Sequence, residues 1–183
     1  FSASNQAGLT RLLPADTSIS KLFYVVKASD SLSIQEVQYC VNNGGHSGYE
    51  NAIVRGVEGI VTADTSDFRN YNCGDSCKGG QVTAPARVII QNGTGPFSGI
   101  WISGPPTDTL KKGQKVRIRG TVTYSFGINT ILTSSPTDVQ VLSSSNPLPA
   151  PEILTASVLA NNKSGGDLTI KKWESVLVRL NTP

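Results

Sequence analysis

The chain contains no methionine, one histidine (His46) and three cysteines (Cys40, Cys73 and Cys77). Without Met, Phe1 is not a translation start, and the N-terminus reads as a processed or trimmed end from which any signal peptide has gone. One His and three Cys leave little material for metal or nucleophile chemistry, since a structural zinc needs about four ligands. A general base needs an orienting partner and a nucleophile. His46, in Asn-Gly-Gly-His-Ser-Gly, has neither nearby in sequence and reads as an exposed loop residue. No apolar run approaches the ~20 residues that cross a bilayer, so no membrane span is expected. There is no glycine period or heptad, which excludes collagen and coiled coil. No Gly-Lys-Ser/Thr follows the glycines around Thr94, which excludes a phosphate loop. These absences point to a non-catalytic protein without a cofactor.

The 183 residues, 38% of them hydrophobic, suffice for one packed domain, and the formal net charge is only +3. Residues 1 to 18 are polar and small apart from Leu9, Leu12 and Leu13, whereas Ile19 to Lys27 is apolar, β-branched and aromatic and reads as a strand. Leu32 to Cys40 reads as a short helix started by Ser31, Ser33 and Glu36. Strands follow at short intervals over Ile53–Ala63, Ala86–Gln91, Gly99–Ser103, Gln114–Ser125, Ile128–Leu132 and Val139–Leu142. Gly56 and Gly59 mark a bend or bulge in the first of these. The strict alternation of Gln114–Ser125 places Val116 and Ile118 inward and Lys115, Arg117 and Arg119 outward. Asp64 to Val82 reads as a long polar loop, 143–151 as an extended Ser/Pro segment, Glu152–Ala160 as a short helical turn, and Trp173–Leu180 as a last strand. Short strands with Gly, Pro and Asn turns argue for an all-β barrel or sandwich.

An ordered set of segments narrows this further. Gly59-Ile-Val-Thr-Ala63 is followed by Ile89-Ile-Gln-Asn-Gly-Thr-Gly-Pro-Phe-Ser-Gly-Ile-Trp101, Leu110-Lys-Lys-Gly-Gln-Lys-Val116, Arg119-Gly-Thr-Val122, a Phe126-Gly127 turn, and Asn146-Pro-Leu-Pro-Ala-Pro151. Together with Ser33–Tyr39 as a lead-in, this resembles the OB-fold domains of secreted bacterial proteins. Such domains accompany extracellular endonuclease/exonuclease/phosphatase-type nucleases and other surface proteins. The likeness covers about residues 33 to 183. It implies an OB-like Greek-key barrel over 32–145, preceded by an N-terminal arm with one strand (1–31). A Pro-rich crossing segment and an extra C-terminal strand (146–183) follow. It also implies a secreted, extracellular, bacterial protein. The Cys-bearing insertion and the arm depart from the family pattern, and no nuclease catalytic domain is present.

Two interaction surfaces follow. An unpaired strand exposes backbone donors and acceptors and invites another chain. The two terminal strands lie outside the minimal barrel and carry Ile19, Leu22, Phe23, Tyr24, Val25 and Val26 at one end and Trp173, Val176, Val178 and Leu180 at the other. Either each pairs within its own chain, or one is donated to a neighbouring subunit, which builds an oligomer or a filament. The alternative surface binds single-stranded nucleic acid or another polyanion. It comprises Lys111, Lys112, Lys115, Arg117 and Arg119, with Trp101, Tyr124, Phe126 and Phe97 as stacking platforms. Cys73 and Cys77 read as a local disulfide in an oxidising compartment, with Cys40 left over or competing for one partner. Asp64, Asp67 and Asp75 share the insertion loop and offer oxygen ligands of the kind calcium takes, at a spacing that matches no EF-hand. Asn92-Gly-Thr94 and Asn162-Lys-Ser164 fit the N-glycosylation pattern.

Overall fold

The computed structural model describes residues 2–4, 10–12, 31–40, 44–68, 87–160 and 168–181. Within the arm, β1 (Ser2–Ser4) and β2 (Thr10–Leu12) form a small antiparallel hairpin, where the sequence carries no strand pattern. The expected strand Ile19–Lys27 lies outside the described residues. Ser33 begins α1 (Ile34–Gln38) with a full capping box: Glu36 N donates to Ser33 Oγ at 3.2 Å, and Ser33 N donates to Glu36 Oε2 at 2.8 Å. Ile34 and Val37 from this helix are fully buried.

The strand β3 (Ile53–Ala63) is continuous, and α2 (Thr65–Phe68) follows it. Then come β4 (Arg87–Gln91), β5 (Gly99–Ser103), β6 (Lys115–Ser125), β7 (Ile128–Leu132) and β8 (Val139–Ser143). The sheet runs β3-β4-β5-β7-β6 and closes by pairing of β6 with β3, with β5 and β7 parallel and the other pairs antiparallel. This is a closed five-stranded mixed barrel, and the all-β, OB-like fold read from the sequence is borne out. The far edge of β6 is shared, β7 pairing with Thr121–Ser125 and β8 with Lys115–Ile118.

Closure depends on β3 serving two partners. Its first part pairs with β6 and its last with β4, and the register shifts between Val54 and Val57. Gly56 sits at that bulge with φ +67°, a conformation that disfavours a side chain, and a Cβ there would meet Ser31 Cβ at 2.9 Å. Among the described residues the buried core cluster consists of Val, Ile and a single Leu, including Val57, Val61, Ile90, Ile100, Ile118 and Ile131, and contains no aromatic.

The C-terminal region differs from its sequence reading in two places. Glu152–Thr155 is a strand, β9, and only Ala156–Ala160 is helical (α3). After α4 (Leu168–Lys171), the chain turns through 172–175, and the last strand is the shorter β10 (Val178–Asn181). Trp173 N donates to Ile170 O, and Ser175 has φ 64°, which precludes an extended strand from Trp173. The pair β9 and β10 forms a separate parallel two-stranded ribbon.

Close strand approach makes a sharp test. A Cβ on Gly120 would lie 2.6 Å from Leu132 O and 2.7 Å from Ile131 Cγ2, whereas one on Gly48 meets nothing within 4 Å. Gly120→Ala is expected to lower stability by about 1–3 kcal/mol through overpacking, and Gly48→Ala to leave it unchanged. Thermal unfolding of the two variants decides this, and equal melting temperatures would refute the close approach.

Candidate functional site

The outward row on β6 is present, and each of its cations has an acidic partner. Lys115 Nζ lies 3.0 Å from Glu58 Oε2. Arg117 donates through Nε at 2.9 Å and Nη2 at 2.7 Å to Glu58 Oε1. Arg119 Nη1 donates to Asp138 Oδ1 at 3.0 Å, and Lys112 Nζ to Asp67 Oδ1 at 2.7 Å. Bonds from Lys115 and then Arg117 hold the Glu58 carboxyl below its ordinary range. Asp138 is buried and is also held low, first by the Ser134 N–H and further by Ser135 and Arg119. Lys111 is exposed beside Asp64. Four carboxylates therefore stand among five cations. Exposed ion pairs of this kind are worth at most about 1 kcal/mol each, but they leave the row with little net field for a polyanion.

Asp64 and Asp67 are engaged in capping. Burial pushes the Asp64 carboxyl upward, but the Ser66 hydroxyl and N–H and the Lys112 N–H outweigh it and leave it low. Asp67 Oδ2 accepts from Asp64 N at 2.9 Å. Among the described residues no group of three His, Cys, Asp or Glu could hold a metal ion. Asp75, Cys73, Cys77 and Asn162 lie outside the described residues. Cys40 is a buried free thiol, and burial raises its pKa. Asn92 is exposed in the β4–β5 turn.

The aromatic side chains separate. Trp101 stands on the outer face of β5, opposite Ile89 and beside Thr130. It lines a cleft of about 130 Å³ together with Arg87, Thr123, Phe126 and Leu132. Phe126 is 94% exposed and has φ 53°, in the two-residue turn with Gly127 (φ 80°). Such turns favour Asn or Gly at this position, and packing does not account for a solvated Phe in a left-handed conformation. Tyr124 has the parity of Val116 and Ile118 and turns away from this cleft. Its ring stacks on His46 at 3.7 Å between centroids and carries the Lys171 ammonium 5.1 Å from its centre. Phe97 packs edge-on against Tyr39. His46 is partly buried, and its Nδ1 meets Glu50 at 2.8 Å.

The C-terminal segment is fastened to its own barrel before β10 begins. Lys171 Nζ bonds to Gly127 O and Glu174. Glu174 Oε1 accepts from Asn129 N at 3.2 Å and Gln38 Nε2 at 3.3 Å. Phe97 N donates to Lys172 O, and Leu177 N to Gln91 Oε1 at 2.8 Å. A Cβ on Gly99 would collide with the Ser175 carbonyl, so glycine admits this segment. Val176 is buried there, and the Lys172 ammonium lies 5.6 Å from the centre of the Trp173 ring. Val178 and Leu180 belong to β10, with Leu180 half exposed. The six N-terminal residues Ile19, Leu22, Phe23, Tyr24, Val25 and Val26 lie outside the described residues.

The sequence reading omits Arg87, Glu58, Asp138 and the ribbon strand β9. Strand alternation puts Arg87 outward, and only the β4–β5 register brings it to the cleft. No family model matches this chain, and no curated protein matches it. Among the described residues no helix is long and apolar enough to cross a membrane.

The carboxylates yield a pH prediction. Glu58, Asp64 and Asp138 have lowered folded pKa values, so their contribution is present above the unfolded carboxylate pKa near 4 and is lost as pH falls through the folded values. Stability is expected to be flat from neutrality to about pH 5 and to decline below about 4. Asp138→Ala orphans the donors of Ser134, Ser135 and Arg119. It should cost about 1–3 kcal/mol at pH 7 and shallow the acid decline. Urea titrations across pH check both, and an unchanged acid slope would count against Asp138.

Proposed function

We propose that this chain is a non-catalytic, extracellular subunit that associates with copies of itself through its terminal strands, building a filament. The observation that carries this reading is the β9–β10 ribbon. A two-stranded parallel pair of four-residue strands is marginal by itself, and this one exposes Ile153 at 65% and Leu180 at 49%. A second apolar, strand-patterned run, Ile19–Lys27, is available in sequence. The likeness to OB-fold domains of secreted bacterial surface proteins supports the extracellular placement. Negative-stain microscopy with light scattering on the same sample tests the reading. Ordered assemblies are expected, lost on removal of residues 1–27; a 19.3 kDa monomer at every concentration would overturn it.

The cleft of Arg87, Trp101 and Phe126 favours a second reading, binding of single-stranded nucleic acid. It supplies one cation and two aromatic faces, whereas the β6 row is taken up by carboxylates. Trp101→Ala is then expected to weaken single-stranded DNA binding by about 5- to 150-fold, the range for one lost stacking platform. Lys115→Ala, Arg117→Ala and Arg119→Ala combined should change it less. Salt titrations of affinity separate the two, and a larger loss from the triple variant would return the site to the β6 row.

A further inference from the structure

We propose that the acceptor for self-association is the outer edge of β10, and that its occupant is the Ile19–Lys27 segment of a second copy, added as a third strand. This rests on the self-association reading and specifies its contact. Glu152 N donates to Leu177 O at 2.9 Å, which fixes the phase of the parallel ladder. Alternate residues of a strand present their backbone groups to opposite edges. Leu177, Arg179 and Asn181 therefore face β9, and the N–H and C=O of Val178 and Leu180 face outward. Among the described residues no strand pairs with that edge. The other edge of the ribbon is less open, because β9 begins directly after Pro151 and runs straight into α3. Proline at a strand boundary guards an edge.

The occupant is chosen by pattern and reach. Ile19-Ser-Lys-Leu-Phe-Tyr-Val-Val-Lys27 places Phe23 and Val25 on one face and Leu22, Tyr24 and Val26 on the other. A strand apolar on both faces suits a covered position and not a solvated edge. Eighteen residues separate Leu12 from Ser31. Extended at about 3.3 Å each they reach roughly 60 Å, about twice the diameter of a small domain. Lys27 is tied within about 13 Å of Ser31, which packs against Gly56 of its own barrel, so the nine residues of the segment would have to run outward from there, far enough at about 30 Å to meet a neighbour. A single segment also fills only one edge of a ribbon that has two.

The test is complementation between full-length variants. Leu180→Pro removes the outward N–H and leaves the β9-facing residues Arg179 and Asn181 unchanged. Phe23→Asp spoils the donor and leaves the acceptor intact. Each alone is expected to scatter as a 19.3 kDa monomer. Mixed in equal amounts they should form a dimer of twice that mass and nothing larger, since one donor and one acceptor remain. Dimer formation reports that the Phe23→Asp chain is folded, and a cooperative thermal transition matching the wild type reports the same for Leu180→Pro. Leu180→Lys, which keeps the N–H, should raise the concentration needed for assembly about tenfold. If the wild type assembles and Leu180→Pro assembles equally well, the acceptor is elsewhere and the proposal fails while self-association stands. Unimpaired assembly of Phe23→Asp overturns the donor, and a mixture that stays monomeric overturns the pairing. A monomeric wild type defeats the self-association reading itself, including the case in which the segment occupies its own ribbon.

Discussion

The bulge at Gly56 is the constraint on which the rest of the molecule depends. β3 pairs with β6 over Ile53–Ile60 on one edge and with β4 over Ile60–Ala63 on the other, and the bulge at Gly56, φ +67°, bends it within the β6 pairing. Closure then makes the interior a narrow cylinder. Val and Ile suit such a space, because their branched side chains pack well on a pleated surface. The core uses them almost exclusively. Among the described residues Tyr49 packs on the core from its edge, Tyr124 stacks on His46, and Trp101 and Phe126 border a cleft.

The same geometry determines what the basic residues can do. Period 2 aligns Lys115, Arg117 and Arg119 outward, but the β3–β6 register sets Glu58 directly opposite Arg117. Asp138, at the turn before β8, reaches Arg119. A row that looks electropositive along one strand is close to balanced across three. A phosphate arriving there would have to displace carboxylates already held by two or more donors each, and those carboxylates are stabilised in their charged form. The cleft around Trp101 carries no such competition from the residues that line it.

Local signals made much of the barrel legible. The reading of β3, β5 and β7 matches the structure residue for residue, because apolar, β-branched runs are bounded by turn residues on either side. α1 followed from its capping box. The losses share one cause, pairing between residues far apart in sequence. β9 is a strand because β10 lies beside it, twenty-odd residues downstream, and its own four residues carry no strong pattern. The stretch from Trp173 is apolar enough to be a strand, yet Glu174 is claimed by Asn129 and Gln38, which fixes a turn. Glu58 and Asp138 became partners of the basic row through sheet register, which no single strand reveals. The parity of Tyr124 was already readable from the alternation of β6 and separates it from Trp101.

The ribbon differs from the other peripheral elements in how it is held. Its approach is fixed by the Gly99–Ser175 contact, by Gln91 receiving Leu177, and by Glu152 receiving Gly95 from the β4–β5 turn. Leu154 of β9 is buried, but four residues of parallel pairing are marginal for holding extended backbone against solvent. The arrangement sets the direction of an edge firmly, and among the described residues no strand completes that edge. A strand added to it would take up a defined orientation relative to the barrel. Were that strand donated by a second copy, the contact would be head-to-tail, and repeating it would generate either a closed ring or an open helix according to one rotation. The direction in which the ribbon leaves the barrel turns on Ser175, whose left-handed φ of 64° lies between the barrel and β10.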